Sequence, residues 1–362
     1  MTPGLVSVMM PAYNAERFIA EAIESVLAQT YPQWELLVVN DGSRDATAEI
    51  TARYTDDARV RLINKENGGE ASARNVALEN SQGEFIAYLD ADDAWLPHHL
   101  QITVAHLQTY PEKDGVYTDG WHYTADGRRL KSLAARRRGP FEGDIFPELA
   151  RASDVFGPPI CVLLRHAPLA ERRLRYDTRI VIGPDWEFFT RFAAAANFGY
   201  LPEQTCLYRV HQTNITVQVA RQRRLSYLAQ CRENVIQIPR FIELAVEVQT
   251  AVFYDLLINL TAGQIEKQQA ILQWPQFQAL PPYEQGRLLR LMASKSLIEY
   301  ADAPHIAQWL HQARALAPTD RVAQLVILLY RLNPALCRHL LRWRTAKQTG
   351  GQPDSPFADL FA

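Results

Sequence analysis

Residues 1–90 hold four short apolar runs, at 6–10, 36–39, 60–63 and 85–89, and an amphipathic stretch follows each of the first three. Runs of four or five residues, apolar but for Ser7 and Arg61 and bounded by polar turns, read as buried strands rather than helices. The stretches at 18–27, 45–54 and 70–78 read as helices; in the first, Phe18, Ala22, Ile23, Val26 and Leu27 fall at helical spacing. Ser43 or Asp45 stands at the head of the second as a cap. This alternation predicts an α/β fold: a mainly parallel sheet with helices on both faces. Sheets of that kind bind ligands at the carboxyl ends of their strands. The polar residues just past each apolar run are therefore the first candidates for function.

The rest of the chain breaks the pattern. Residues 111–219 are irregular and richer in Pro, Gly and Arg, with one clear helix expected at 185–196, closed by Gly199. Residues 220–349 read as helical throughout, and 301–344 resemble antiparallel helix pairs separated by Pro318 and Pro334. The tail at 350–362 is expected to be loose. The 362 residues suffice for two domains, and a formal charge of -2 gives no global footprint for nucleic acid. Four scattered cysteines, Cys161, Cys206, Cys231 and Cys337, fit a reducing compartment. With no basic leader region and no apolar stretch long enough to span a bilayer, the expectation is a cytoplasmic protein. The sequons at Asn214 and Asn259 are then chance matches.

Each run ends in a polar cluster. The first leads into Pro11, Ala12, Tyr13 and Asn14. A base could stack on Tyr13, or the segment could be a plain turn with Asn14 as a helix cap. The second run ends in Asn40-Asp41-Gly42-Ser43, where Asp41 can accept from a base or ribose, or serve in an ordinary Asp-Gly turn. After the third come Asn67-Gly68-Gly69, whose glycines admit a ligand close to the backbone, and Arg74, a fixed positive charge on the next helix. Neither GxGxxG nor GxxxxGK[ST] occurs there, so the dinucleotide and P-loop readings lack their signature. The fourth run ends in Asp90-Ala91-Asp92-Asp93. Three carboxylates at the end of an apolar strand repel one another unless a cation neutralises them. Carboxylate oxygens suit Mg²⁺ or Mn²⁺, which also bind phosphate oxygens.

In order, VSVMMPAYN, VVNDGS, NGGEASARN and GEFIAYLDADD resemble glycosyltransferase family 2, with its A-type nucleotide-sugar fold. YDTRIVIGPDWEFFTRFA resembles the family's catalytic-helix segment, and YRVHQTN its closing motif. The resemblance implies a donor half at 1–110, an acceptor-binding and catalytic half at 111–219, and a helical region without a family motif. It implies inverting, metal-assisted transfer of a hexosyl group from a nucleotide-diphosphate-sugar, UDP by preference, to a saccharide or glycolipid acceptor in bacterial polysaccharide or glycoconjugate synthesis. Donor contacts are expected from Pro11, Ala12, Tyr13, Asn14, Asp41, Gly69, Arg74, Asp90, Ala91, Asp92 and Arg209, with Asp92 and His211 toward Mg²⁺ or Mn²⁺. Asp185 is the implied general base. The family usually has an acidic residue just before it, where this chain has Pro184, so Glu187 stays a candidate. Asp185 also lies near a helix start, where an Asp can simply cap.

Other classes remain in view. A catalytically silent nucleotide-sugar binder would keep the fold without the acidic set, and a nucleotidyltransferase would need a Gly-rich triphosphate loop that this chain lacks. Arg136-Arg137-Arg138 and Arg172-Arg173 read as solvated loop faces, or as guides for a lipid-phosphate acceptor. The last helix carries Leu336, Leu340 and Trp343 on one face beside Arg338, Arg342, Arg344 and Lys347. Helix packing is the favoured reading of that face, and contact with an anionic membrane surface is the alternative. Homo-oligomer contact through these helices and peripheral attachment at the inner face of the membrane both stay open.

Overall fold

A computed structural model describes residues 1–211, 219–300 and 304–348; the tail from Gly350 and the sequon at Asn214 lie outside them. The chain divides into two compact units, one ending at Val219 and one beginning at Ala220. In the first unit each expected apolar run is the core of a strand: β1 (Thr2–Ala12), β2 (Trp34–Asp41), β3 (Val60–Lys65) and β4 (Gly83–Tyr88). Between them lie α1 (Ile19–Leu27), α2 (Thr47–Ala52) and α3 (Glu70–Asn80). The strands pair in parallel in the order β3-β2-β1-β4. Val8, Leu36, Val38, Phe85 and Ile23 are fully buried in the core that results. Register decides function here: Ala12 pairs with Asn40, Asp41 with Lys65 and Met9 with Tyr88. All four polar strand ends therefore meet along one edge of the sheet.

Past β4 the sheet is mixed. It continues β4-β8-β6-β9-β5, with β5 (Ala94–Trp95), β6 (Gly115–Thr124), β7 (Arg129–Ser132), β8 (Val162–Arg165) and β9 (Phe198–Val210). The pairs β4–β8, β6–β8, β6–β7 and β5–β9 are antiparallel, and β6–β9 is parallel. The fully parallel arrangement thus holds for β1 to β4, and the sheet as a whole is mixed. Helices α4 (His99–Thr109), α5 (Phe146–Arg151), α6 (His166–Glu171) and α7 (Pro184–Ala193) complete the unit. In the arginine runs Arg137, Arg138 and Arg172 are tied within the fold, while Arg136 and Arg173 are exposed. Arg137 is buried against Asp119 at 2.8 Å and donates to the Thr118 and Phe156 carbonyls. Arg138 joins Asp154 and Glu148, and Arg172 donates to the Phe192 and Arg191 carbonyls near the end of α7.

The second unit is helical among the described residues: α8 (Arg221–Ile236), α9 (Val246–Tyr254), α10 (Ile265–Leu272), α11 (Pro275–Gln278), α12 (Pro282–Tyr300), α13 (His305–Leu316), α14 (Arg321–Leu332) and α15 (Pro334–Gln348). Pro318 falls in the turn after α13, and Pro334 opens α15, where its missing N–H costs nothing. Asp320 caps α14 by accepting from the Val322 and Ala323 N–H groups.

Candidate functional site

The loops after β1 and β2 are laced together. Asn14 takes a left-handed conformation (φ 49°), which Asn tolerates better than most residues. Its N–H donates to Ser43 Oγ at 3.0 Å, and its Oδ1 accepts from the Arg44 N–H at 2.9 Å. It therefore braces the neighbouring loop and does not cap α1, whose cap position is Phe18. The Ala15 and Glu16 N–H groups donate to Thr47 and Asp45, and Asp45 also accepts from the Thr47 N–H. Pro11 and Ala12 end the strand below this lacing, Ala12 buried, while Tyr13 is 51% exposed. Asp41 is buried beneath the third loop. One of its oxygens accepts from Lys65 Nζ and the Gly68 N–H, the other from the Gly69 N–H at 2.7 Å. Gly69 has φ 85°, and a Cβ there would meet nothing within 4 Å, so the loop's outer face is open.

Three charged groups meet where α3 faces the end of β4. Arg74 is buried, and its Nη2 donates to Asp90 at 2.7 Å and to Glu70 at 2.8 Å. Its Nε and Nη1 are buried donors without a partner among the described residues. Enclosure pushes Glu70 up to about 7 against the pull of Arg74, with Asp90, Asp185 and Asp92 adding to the rise, although 31% of its side chain reaches solvent. Asp90 is raised by the same enclosure, with Arg74 opposing and Asp92 adding. One position along α3, Asn75 exchanges two hydrogen bonds with the Tyr176 backbone, at 2.7 and 3.0 Å. The Tyr176 ring stacks on Phe188 of α7, with centroids 4.0 Å apart and planes nearly parallel. Asn75 thereby ties α3 to α7.

The acidic loop is held by the end of β9. Asp92 Oδ2 lies 2.9 Å from His211 Nε2, and the His211 ring packs on Phe18. Ala91, between the half-buried Asp90 and Asp92, is buried. Arg209 does not present its guanidinium to a phosphate site. It is buried, donates from Nε to the Asp92 carbonyl at 2.7 Å and from Nη2 to Glu21 at 2.6 Å, and lies between the Phe18 and Tyr123 rings. Its own N–H donates to Asp93 at 2.7 Å. Burial raises the Asp93 carboxyl well above its ordinary range, and its second oxygen is unpaired among the described residues. Asp92 and His211 offer one carboxylate and one imidazole. Among the described residues there is no group of three such side chains able to enclose a metal. Mg²⁺-type ions commonly take one or two carboxylates and complete their shell with water and phosphate. The pair thus fits a cation that a diphosphate completes, and not a closed structural site.

Helix α7 separates its two carboxylates. Gly183, left-handed at φ 79°, occupies the cap position, and no side chain caps the helix. Asp185, in the first turn and half-buried, takes no hydrogen bond or ion pair among the described residues. Its charge is felt at Glu70, Arg74, Asp90, Tyr176 and Tyr208. Glu187 is fully buried and bonded by Arg191 through Nε at 2.6 Å and Nη2 at 2.7 Å. Lys65, Glu70, Asn75, Tyr176 and Glu21 complete this edge, and none was marked as a site residue by sequence. The Asp41–Lys65 register was the one signal available, since two parallel strands of known alignment place them side by side.

The sequence profile of Glycosyl transferase family 2 matches residues 7–169. The chain is 46% identical over 106 residues to the Escherichia coli UDP-Glc:alpha-D-GlcNAc-diphosphoundecaprenol beta-1,3-glucosyltransferase WfgD, covering 29% of this chain and 42% of that one. It spans 25% of the length of the first curated relatives that it matches. Among solved structures, S. aureus TarS 1–349 in complex with UDP-GlcNAc superposes with a TM-score of 0.58 at 19% identity, covering 88% of this chain and 91% of that one. A mannosyltransferase from Pyrobaculum calidifontis, in complex with GDP-Man and Mn²⁺, gives 0.51 at 21% identity, covering 92% and 86%. At these identities the structural likeness is one of fold.

Proposed function

Because the chain belongs to glycosyltransferase family 2 through its N-terminal domain, we propose that it transfers a hexosyl group from a UDP-sugar to a hydroxyl of a lipid-linked saccharide, with inversion. The observation that carries this reading is the edge where Asp92–His211, Arg74–Asp90–Glu70 and the unpaired Asp185 come together. Tyr13 offers its exposed ring to the base, and Asp41 Oδ2 keeps acceptor capacity beyond its bond to Gly69. Gly69 lets the donor approach the backbone, and the two spare donors of Arg74 suit anionic oxygen. Asp92 and His211 would hold Mg²⁺ or Mn²⁺, which would neutralise charge on the departing diphosphate. Asp185 takes the proton of the acceptor hydroxyl as that oxygen bonds to the anomeric carbon and the bond to phosphate breaks on the opposite face. It stands in the first turn of α7 and has no hydrogen bond or ion pair to another side chain among the described residues. Glu187 is already committed to Arg191 and does not serve as base.

The choice of UDP and of a lipid-linked acceptor draws on the E. coli relative and the UDP-GlcNAc complex, and places the reaction in bacterial polysaccharide synthesis. In this reading residues 1–110 bind donor, 111–219 bind acceptor and supply the base, and the protein works on the cytoplasmic face of the membrane. Calorimetry of UDP with and without Mn²⁺ tests it. Asp92→Ala is expected to abolish the Mn²⁺-dependent binding, whereas Asp185→Asn keeps it. Unchanged Mn²⁺-dependent binding in the Asp92 variant refutes the assignment.

A further inference from the structure

The last two described helices expose what a soluble helical hairpin normally hides. Leu325, Leu328 and Leu332 of α14 are 55%, 54% and 74% exposed, and Leu336, Leu340 and Trp343 of α15 are 48%, 40% and 57% exposed. Each set recurs at three- or four-residue spacing, so each lies along one helix face. Ala323, Val326 and Ile327 already supply the buried face of α14, and Cys337 is buried on α15. The outward leucines of both helices are therefore left exposed by the packing of the described residues. The face of the last helix expected to pack on another helix is half exposed, at 48% for Leu336 and 40% for Leu340.

Charge identifies the occupant. Between Asp320 and Asp354 there is no acidic residue, while Arg321, Arg331, Arg338, Arg342, Arg344 and Lys347 stand there, in a chain whose formal charge is -2. We propose that this hairpin docks on the surface of a bilayer containing anionic phospholipid, its leucines and Trp343 entering the interface and its arginines meeting headgroup phosphates. A second copy of the chain fits worse: two such hairpins would bring together twelve cations with no carboxylate from either helix to offset them, and among the described side chains of these six residues only Arg342 donates within the chain, to the Ile298 carbonyl. Nucleic acid would satisfy the arginines and leave five exposed leucines in water. No described helix is long and apolar enough to cross a membrane, so the hairpin lies on the surface. The inference stands on the hairpin's exposure and charge and does not depend on the sugar or the acceptor.

Sedimentation of the full chain with vesicles tests it directly. Binding is expected to phosphatidylcholine–phosphatidylglycerol vesicles, and at least tenfold less to phosphatidylcholine alone. Raising salt from about 0.1 M to 1 M, which shortens the screening length from about 10 Å to 3 Å, should release most of the bound protein. Arg338→Gln with Arg344→Gln lowers partition by about tenfold or more. Leu336→Ser with Leu340→Ser abolishes it, and because both leucines are exposed the melting temperature should hold. Calorimetric UDP binding is expected to be unchanged in both variants, which separates failure here from failure of the transferase reading. Equal binding to both kinds of vesicle, or none, overturns the proposal. So does a dimer in light scattering that the leucine substitutions dissociate while wild type ignores anionic vesicles.

Discussion

Replacing Arg209 by Met separates a phosphate ligand from a structural clamp. The backbone bond to Asp93 survives the change, and Met fills most of the stem's volume. What is lost is the buried Nε bond to the Asp92 carbonyl at 2.7 Å, about 2 kcal/mol for a charged donor. The Glu21 partner is 54% exposed, so that ion pair contributes roughly 0.5 kcal/mol after solvent screening. The rings of Phe18 and Tyr123, at 4.5 and 4.3 Å, add about 1 kcal/mol of cation–π attraction. Together these predict a loss of about 3.5 kcal/mol, or a fall of roughly 7–14 °C in the melting transition for a unit of this size. Because the clamp sets the Asp92 loop beside His211, Mn²⁺-dependent UDP binding should weaken in parallel, and Arg209→Lys should recover part of both. The assay is scanning calorimetry with and without UDP and Mn²⁺. A Met variant that melts with wild type yet loses UDP affinity would refute the clamp and return the guanidinium to the diphosphate.

Asp185→Asn should lower transfer by about 10²–10⁴-fold with the melting temperature and UDP affinity unchanged, as measured by turnover and calorimetry. Glu187→Gln should do the reverse, losing about 1–3 kcal/mol as Arg191 loses its charged partner while transfer persists; a collapse of transfer there moves the base to Glu187. Asn75→Ala should lower kcat more than donor affinity, since it frees the Tyr176 segment that ties α3 to α7; a loss confined to UDP binding counts against that role. Glu70 has a folded pKa of about 7 against an ordinary 4.5, so the folded state holds its proton longer than the unfolded one. Its contribution is full below about pH 4.5 and is lost as pH rises through about 7. Without metal or nucleotide, Glu70→Gln should therefore melt increasingly above wild type from pH 5 to 8, and parallel profiles sink the argument.

The donor-side half was legible because two signals coincide there. Its strands are short, largely apolar runs, and each is followed by a polar cluster that a core would not hold. Their parallel register then puts Asn14, Asp41, Gly69 and Asp90 on one edge without further information. The other half hides both signals. Strand β6 buries Asp119 and His122 within its span, so no apolar run announces it, and the charge that makes Asp119 tolerable comes from Arg137 on another segment. Read alone, Arg137 is one of three arginines in a loop; read with its partner, it is an internal tie.

Arg209 teaches the same lesson at the site. Its position in YRVHQTN pointed to phosphate, while its partners, the Asp92 carbonyl and Glu21, come from segments that only folding brings near. A charged residue is placed by whichever countercharge reaches it first in three dimensions, and local sequence carries no record of that contest. The converse holds for α14 and α15. No partner reaches their arginines through a carboxylate in the same stretch, because the stretch contains none. The leucines beside them read as core by period alone, and accessibility reverses the reading. Periodicity predicts burial for Leu325, Leu328, Leu332, Leu336 and Leu340, and their exposure is why the proposed partner is sought outside the chain, with its sign taken from a stretch that holds six cations and no acidic residue.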